Sequence, residues 1–343
     1  MLFSGKTNGY FVDINEYSTI VARTSSTGAP LIVEKVEELA AGTAGLAAAF
    51  EKLAGPRRGS YRHAVVGISP ERRFIRRAAV DQKRGKDTAA LEELLVTQFR
   101  AEPEKMMIAI LSATDGSDLD AGAAAGKDVL FCGGYTEDFS ETQKAVLEIG
   151  VFPERIELTS VAALGGVQGL LTLEENKTPV LVLEVGREST HCYIVNAGGV
   201  DLARPIPHGI NSMIPVAQKE LGLRDEEAAA KLLFSNTFDF TGMGPNLVKR
   251  LLKELQSSIG FFEVQTGQSI GQLYCSVLPP AFGWLSGTLA NALGVSQLQP
   301  NLKPWTDKQG IKFAAGVCQD GVPAHWLGIL SLMAKHQPAA TEK

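Results

Sequence analysis

The sequence lacks the long apolar segments and paired cysteines that would place it in a membrane or an oxidising compartment. Its 343 residues include no apolar run of about 18 residues, the length that a membrane-spanning helix needs. The N-terminal stretch MLFSGKTNGYFVD has no apolar core typical of a signal peptide. The cysteines form no C-x-x-C pair and lie in or near apolar runs, at Cys132, Cys192, Cys275 and Cys318. We therefore expect a cytoplasmic, non-spanning protein with free thiols, without a disulfide framework or a zinc site.

The sequence also lacks a large excess of charge of one sign. The chain has 33 Lys and Arg against 38 Asp and Glu, a net charge of −5, which argues against nucleic acid as a partner. Hydrophobic residues make up 45% and charged residues 21%, as is typical of soluble globular proteins. The length is sufficient for two domains with sizeable cores.

What the sequence does contain is a three-stranded pattern that occurs twice. The first copy reads GYFVDI, STIVART and LIVEKVEEL, and the second reads PVLVLEV, THCYIVN and VDLARPI. Asp13 precedes Thr19 by six residues, and Glu184 precedes Thr190 by the same spacing. In each copy the acid ends one strand and the threonine begins the next. We interpret the pattern as an internal duplication of one supersecondary unit.

Helices and a separate block of strands complete the organisation. We predict a helix over 37–53, and another at SETQKAVLEIG with Ser140 and Gln143 as its capping box. The block between the two copies, beginning with YRHAVVGI, reads as an α+β insertion. The predicted division is a first domain of 1–58 and 148–176, an inserted domain of 59–147, a second domain of 177–222 and 270–335 with a helical insertion of 223–269, and a flexible tail of 336–343.

Two βββα units, with an insertion in the first and extra helices in the second, resemble the actin, sugar-kinase and heat-shock chaperone superfamily. Within it, VLVLEVGRESTHCYIVNAGGVDLARPIPHGI, LLKELQSSIGFFEVQTG and VLEIGVFPERIELTSVAAL are similar to segments of the type IV pilus assembly protein PilM. The resemblance covers nearly the whole chain in order. It implies an α/β, actin-like (ribonuclease H-like) fold of duplicated βββα domains with a small α+β inserted domain.

The same resemblance implies a nucleotide cleft, held by the two hairpin turns, that this chain has lost. The positions that match the family's motif are Asp13 in the first turn and Gly186 and Thr190 in the second, a vestigial cofactor-binding set. Asn15 replaces the glycine of the first turn, where we expect it to adopt a left-handed conformation. Glu16 follows it and would repel a phosphate.

The second turn and the adenosine site depart from the family as well. Glu184 stands where the family prefers Asp and would crowd a metal-bound water. In LYCSVLPPAFGWLSGTLANALG, Val277 and Leu278 take the place of the family's glycine pair, and the next two residues are prolines without N–H donors. We expect no cofactor, no metal site and no catalytic residue; ATP and magnesium would bind only if the pocket proved intact.

The function that the resemblance implies is that of a cytoplasmic scaffold, peripheral to the inner membrane, for a type IV pilus or a type II secretion platform. The expected partner is the N-terminal cytoplasmic peptide of a PilN-like inner-membrane protein, bound in a groove beside the inserted domain. Other platform proteins and further copies of the chain, as a homo-oligomer, are additional candidate partners. Two alternatives remain open: an active ATPase or kinase of the same superfamily, and a membrane-associated filament former like the cell-division protein FtsA.

Two features bear on attachment to the membrane. A basic cluster in the insertion is either a solvated two-faced strand or a docking surface for anionic lipid or an acidic partner. It comprises Arg57, Arg58, Arg62, Arg72, Arg73, Arg76, Arg77, Lys83, Arg84 and Lys86. The C-terminal HWLGILSLMAKH has an apolar face of Trp326, Ile329, Leu330 and Met333, typical of a helix that closes the fold or of one that targets a membrane.

Overall fold

The computed structural model describes residues 9–25, 30–55, 61–82, 87–235 and 237–335. Part of the predicted basic cluster and the predicted tail lie outside the described residues: Arg57, Arg58, Lys83, Arg84, Lys86 and 336–343.

The strands are, in chain order, β1 (Gly9–Ile14), β2 (Ser18–Thr24), β3 (Leu31–Ala40), β4 (Arg62–Ile68), β5 (Phe74–Ala79), β6 (Met106–Ser112), β7 (Asp118–Leu119), β8 (Asp128–Tyr135), β9 (Val151–Leu158), β10 (Val180–Val185), β11 (Thr190–Asn196), β12 (Gly199–Ile206), β13 (Gln272–Val277), β14 (Ser296–Gln297) and β15 (Ile311–Phe313). The α-helices are α1 (Leu46–Ala54), α2 (Thr88–Phe99), α3 (Thr136–Glu148), α4 (Thr159–Leu173), α5 (Ile214–Leu221), α6 (Glu226–Phe234), α7 (Gly244–Leu247), α8 (Lys249–Thr266), α9 (Gly283–Leu293), α10 (Leu302–Lys308) and α11 (Leu327–Lys335).

Two sheets repeat one topology, which confirms the predicted duplication. The first has the order β15-β3-β2-β1-β4-β9 and the second the order β12-β11-β10-β13-β14. In each, an antiparallel meander is extended by parallel strands on the far side of its first strand, β4 and β9 beside β1, and β13 and β14 beside β10. The first strands of both units are central and read as nearly continuous apolar runs because both faces of each are covered.

A third sheet, of order β5-β8-β6-β7, forms the insertion. Helix α2 packs on one face of it, where Leu91, Leu94 and Leu95 join a core with Phe74 and Phe131. The predicted α+β character of the insertion is thereby confirmed. Its predicted first strand is not part of it: β4 pairs in parallel with β1 and with β9 in the first sheet. The boundary drawn at residue 59 was wrong because adjacency along the chain suggested that β4 pairs with β5.

Two predicted helix starts were also wrong. The first helix begins at Leu46 rather than at residue 37, since β3 continues to Ala40 in register with β2. The charged residues of β3 fall in two adjacent pairs, at 34–35 and 37–38, and this three-residue spacing resembles a helical pattern over a short window. Helix α3 begins at Thr136, so Ser140 lies inside it and donates to the Thr136 carbonyl at 2.9 Å instead of capping the helix.

The C-terminal segment returns to the first unit rather than staying with the second. Strand β15 pairs with β3, and α11 packs against α4 and β1. The helices approach closely because α4 has glycine at 166: a Cβ there would lie 2.3 Å from Ser331 Oγ. Ile329, Leu330 and Met333 are buried, so the apolar face of α11 covers the core, as expected of a closing helix. Among the described residues, no helix combines the length and apolar character needed to cross a bilayer.

Candidate functional site: the closed cleft and a neighbouring groove

The two duplicated hairpin turns face each other across one cleft. Tyr17 Oη in the first turn donates to the Val185 carbonyl at 2.8 Å. Glu16 Oε2 accepts from the backbone N–H of Arg187 at 2.8 Å. Gly186 permits this approach, because a Cβ there would lie 2.8 Å from Glu16 Oε1. Glu16, which was expected to repel a phosphate, therefore accepts a hydrogen bond from the backbone of the opposite turn.

The first turn survives without glycine, but not in the predicted way. The φ angle of Asn15 is not positive, so this residue does not adopt the left-handed conformation. Its Oδ1 instead accepts from the backbone N–H groups of Tyr17 and Ser18, at 2.9 and 3.0 Å. This side-chain turn holds the hairpin without a glycine at position 15.

The two threonines of the duplicated motif make equivalent structural bonds. Thr19 Oγ1 donates to the Gly42 carbonyl at 2.7 Å, and Thr190 Oγ1 donates to the His208 carbonyl at 2.7 Å. Both threonines are fully buried. Thr190, a predicted cofactor-binding residue, therefore has its only donor engaged by the loop that follows its hairpin.

The centre of the cleft holds a buried ion pair that the sequence did not reveal. Arg73, at the root of the insertion, donates to Glu184 Oε2 from Nη2 at 2.8 Å and from Nε at 3.1 Å. The two side chains are 3% and 2% exposed. Ser160 Oγ and Tyr193 Oη also donate to that oxygen, at 2.9 and 3.1 Å. Burial and the Glu184 charge raise the pKa of Tyr193 well above its ordinary value, so its hydroxyl stays protonated.

Arg73 was missed because the sequence presents it as one member of a basic cluster. Arg72, its neighbour in that cluster, is exposed. Nothing in the sequence indicates that Arg73 pairs with Glu184, which lies 111 positions away.

Asp13 occupies the equivalent position in the first unit. It accepts from Thr159 Oγ1 at 2.7 Å and is almost fully buried. Burial raises the pKa of Asp13 to about 6, and the nearby Glu184 charge adds to the effect while the Thr159 hydrogen bond opposes it.

Little space remains between the two acids. A cavity of about 20 Å³ separates Asp13 from Glu184, with Val277 and Gly328 on its wall. Such a volume accommodates about one water molecule, whereas ligand pockets are usually of about 300 Å³ or more. Val277 borders this cavity, and Leu278 packs against the core of the second unit.

The stability of the protein is expected to fall as pH rises through the titration of Asp13. Its folded-state pKa of about 6 exceeds the ordinary 3.8, so the unfolded chain loses this proton at lower pH than the folded protein does. The penalty develops between about pH 4 and 6 and amounts to at most about 3 kcal/mol. Asp13→Asn keeps an acceptor for Thr159 and removes the titration.

Urea unfolding at pH 4.5 and 7.5 tests this expectation. Asp13→Asn should be the more stable protein at pH 7.5 and should lose less stability between the two pH values than the wild type. Asp320→Asn, at an exposed aspartate, serves as the matched control and should follow the wild type. An identical pH dependence of Asp13→Asn and wild type would contradict the assignment.

A second candidate site is an apolar groove between the insertion and the first unit. Its volume is about 450 Å³. One wall is the face of β6 that presents Met107, Ala109 and Leu111; the other comprises Ile156 and Leu158 of β9, with Phe139 and Val161 from α3 and α4. Residues of β6 and β9 line the groove, and within the described part of the chain each of these strands has an unpaired stretch of edge: β9 is the last strand of its sheet, and β7 pairs with β6 at Ile110 and Leu111.

Comparisons with known proteins are informative at the level of structure. No family model matches the sequence, and no curated protein matches it. A chain of the solved "PilM-PilN type IV pilus biogenesis complex" superposes with a TM-score of 0.68 at 17% identity, covering 97% of this chain and 100% of that one.

Two further solved structures are more distant. A Bacteroides thetaiotaomicron protein described as having an actin-like ATPase fold and unknown function gives a TM-score of 0.48 at 10% identity, with 88% of this chain and 95% of that chain covered. The cytoplasmic domain of EpsL, an inner-membrane component of the Vibrio cholerae type II secretion system, gives 0.41 at 10% identity, with 98% and 96% covered. The predicted fold class is confirmed: the chain has a duplicated actin-like α/β fold, and it shares that fold with the chain from the PilM-PilN complex.

Proposed function

We propose that this protein is a PilM-like cytoplasmic scaffold of a type IV pilus or type II secretion platform. In this proposal the groove between β6 and β9 binds the N-terminal cytoplasmic peptide of a PilN-like inner-membrane protein. The observation that carries the proposal is the open apolar groove, in a chain that shares its fold with a chain of the PilM-PilN complex over 97% of its length.

The groove suits an extended peptide. Its two bordering strands have unpaired edges among the described residues, which can form backbone hydrogen bonds with an added strand. Met107, Leu111 and Phe139 offer apolar contacts to alternate side chains of such a peptide. Asp118, Arg155 and Glu157 also line the groove and supply polar contacts to the peptide backbone or to its polar side chains.

We propose further that the protein acts without ATP hydrolysis and is held at the inner membrane through its partner. The Arg73–Glu184 pair and the Glu16–Arg187 contact support this view, because a bound nucleotide and its metal would have to displace both. Val200 N–H also bonds the Ala113 carbonyl at 2.8 Å, which joins the second unit to the insertion. A clamped cleft gives a rigid platform for the peptide groove.

Calorimetric titration of the full chain with a synthetic peptide tests the scaffold proposal. The peptide is the cytoplasmic N-terminus of the PilN-like protein encoded in the same genome. We expect saturable binding by this peptide and none by a scrambled peptide of the same composition. Equal heats from both peptides, or from neither, would overturn the proposed partner.

We expect the protein to bind ATP weakly or not at all. Glu16 would repel the phosphates, and the Val277 side chain lies where the family has glycine. Arg73 forms an ion pair with Glu184, the acid of the second turn. We expect these three effects to combine. Val277→Gly with Leu278→Gly should not restore binding, because Glu16 and Arg73 remain. Titration with ATP and magnesium decides the point: a dissociation constant below about 100 μM would favour the alternative of an active ATPase or kinase.

A further inference from the structure

Helix α8 carries a stripe of exposed side chains that does not face the core of the second unit. The buried residues of this helix are Leu251, Leu255, Ser258 and Phe262. The members of the exposed stripe recur every three or four residues, which keeps side chains on one face of a helix. They are Arg250, Lys253, Ser257, Phe261 and Val264. The two faces are centred roughly 130° apart around the helix axis, so the stripe is free to meet another molecule.

The C-terminal half of the stripe is apolar. Val264 is 88% exposed and Phe261 is 60% exposed, more than any other large hydrophobic residue that the structure describes. Neither belongs to the hydrophobic cluster that forms the core of the second unit. Beside them, a Cβ added to Gly260 would have no atom within 4 Å. Single apolar residues are common on protein surfaces, but two of them one helical turn apart form a patch.

The N-terminal half of the stripe is basic and is not neutralised. Among the described residues, neither Arg250 nor Lys253 has an ion-pair partner. Glu254, four positions after Arg250, pairs with Arg204 at 2.8 Å instead. Lys249 adds a third cation, and the first turn of α8 contains no acidic residue. Cations at this end face the positive pole of the helix dipole, which costs about 0.3–1 kcal/mol for each charge. An approaching group of complementary chemistry would relieve that cost.

The two halves are arranged symmetrically about Ser257. Lys253 and Phe261 each lie four residues from Ser257. Arg250 and Val264 each lie seven residues from it. In an antiparallel pair of α8 helices that cross at Ser257, Lys253 of each copy therefore faces Phe261 of the other, and Arg250 faces Val264.

These opposed side chains are chemically complementary. A cation over an exposed aromatic ring contributes about 0.5–1 kcal/mol, and the aliphatic stem of an arginine packs on apolar surface. The antiparallel direction also places each basic N-terminal half beside the negative C-terminal end of the other helix dipole. The small side chain at Ser257 allows the two backbones to approach closely at the crossing point.

We infer that two copies of this chain associate through α8 as an isologous pair, with the twofold axis at Ser257. A twofold axis requires that residue i contacts residue j while j contacts i, and the symmetric spacing satisfies this requirement. A lipid surface matches the stripe less well, because its apolar part is confined to two side chains at one end. The interface lies in the second unit and is independent of the peptide groove. Built on one helix, it is smaller than the usual interface of about 1,600 Å², so we expect a dissociation constant of about 10–100 μM.

Analytical ultracentrifugation of the full chain, from about 5 to 500 μM, measures this association. We expect a reversible equilibrium between monomer and dimer. Phe261→Lys should raise the dissociation constant at least about tenfold, because it opposes Lys253 of the other copy with a like charge. Phe261→Glu should raise it by less than about threefold, because the carboxylate pairs with the same lysine. Val96→Lys, at an exposed apolar residue of α2, is the matched control and should leave it within about twofold.

Two further variants test the register. Lys253→Glu added to Phe261→Lys restores opposite charges across the axis and should recover the dimer. Ser257→Cys should be cross-linked to its symmetry mate by a short bismaleimide, with the wild type as background. Gln265→Cys should not be cross-linked, because two such positions lie about 24 Å apart along the antiparallel helices.

A wild type that stays monomeric over this range would overturn the inference. Equal losses from Phe261→Lys and Phe261→Glu, or no recovery with Lys253→Glu, would do the same. Flotation with vesicles of anionic phospholipid identifies a lipid surface instead. A lipid site would be strengthened by Phe261→Lys and weakened by Phe261→Glu, the reverse of the order expected for the dimer, and that result with a monomeric wild type would assign α8 to the membrane.

Discussion

Arg73→Ala is expected to lower the free energy of unfolding by about 3–5 kcal/mol, because it leaves the Glu184 carboxylate buried without a counter-charge. The loss should be large for three reasons: both side chains are 3% exposed or less, water cannot replace the guanidinium, and Ser160 and Tyr193 contribute only neutral donors. Urea unfolding at neutral pH measures the change.

The neighbouring arginine provides the control. Arg72 also makes an ion pair, with Asp138 at 3.2 Å, but it is 54% exposed. Arg72→Ala should therefore change stability by less than about 1 kcal/mol. Adding Glu184→Leu to Arg73→Met removes both charges and should recover much of the loss. Equal effects of Arg73→Ala and Arg72→Ala would show that the central pair does not clamp the cleft.

Met107→Glu is expected to weaken binding of the PilN-like peptide by about 30- to 100-fold. Met107 lines the apolar groove and is 54% exposed, so the substitution should be tolerated by the fold while placing a carboxylate where the peptide must displace water. Desolvating that charge costs about 2–3 kcal/mol even when some water remains. Calorimetric titration with the same peptide measures the loss.

Val96→Glu is the matched control for the groove. Val96 lies on α2 of the same insertion, is 49% exposed and is not part of the groove wall. Its substitution should leave peptide affinity within about twofold of wild type, since the charge stays in water. If Met107→Glu bound the peptide as well as Val96→Glu did, the peptide would lie elsewhere on the protein.

In the proposed function, the closed cleft holds the two units in place and the open groove binds the peptide. Contacts across the cleft fix the second unit to the first and to the insertion through Glu184, Arg187 and Val200. The groove lies between the insertion and the first unit, on elements that these contacts help to hold. In the proposed function the groove would then be a fixed surface for the peptide.

Much of the fold could be predicted from local patterns. The acid–threonine spacing at Asp13 and Glu184 identified the duplicated hairpins, because such spacing is set by strand length and turn geometry within a few residues. Leu91, Leu94 and Leu95 recur at helical spacing and form the buried face of α2. The assignment of β4 failed because the parallel pairing of β4 with β1 depends on where the chain runs after α1.

The sequence by itself determined the repeated βββα units, the absence of an apolar run long enough to span a membrane, and the Val277-Leu278 pair ahead of two prolines. These properties depend on composition and on neighbours within a few positions. Only the tertiary structure decided that Arg73 neutralises Glu184, that Glu16 bonds the opposite turn, and that two strand edges border one groove. Each of these contacts joins residues far apart in the chain, and their pairing follows from how the packed sheets and helices bring the chain together rather than from any local preference.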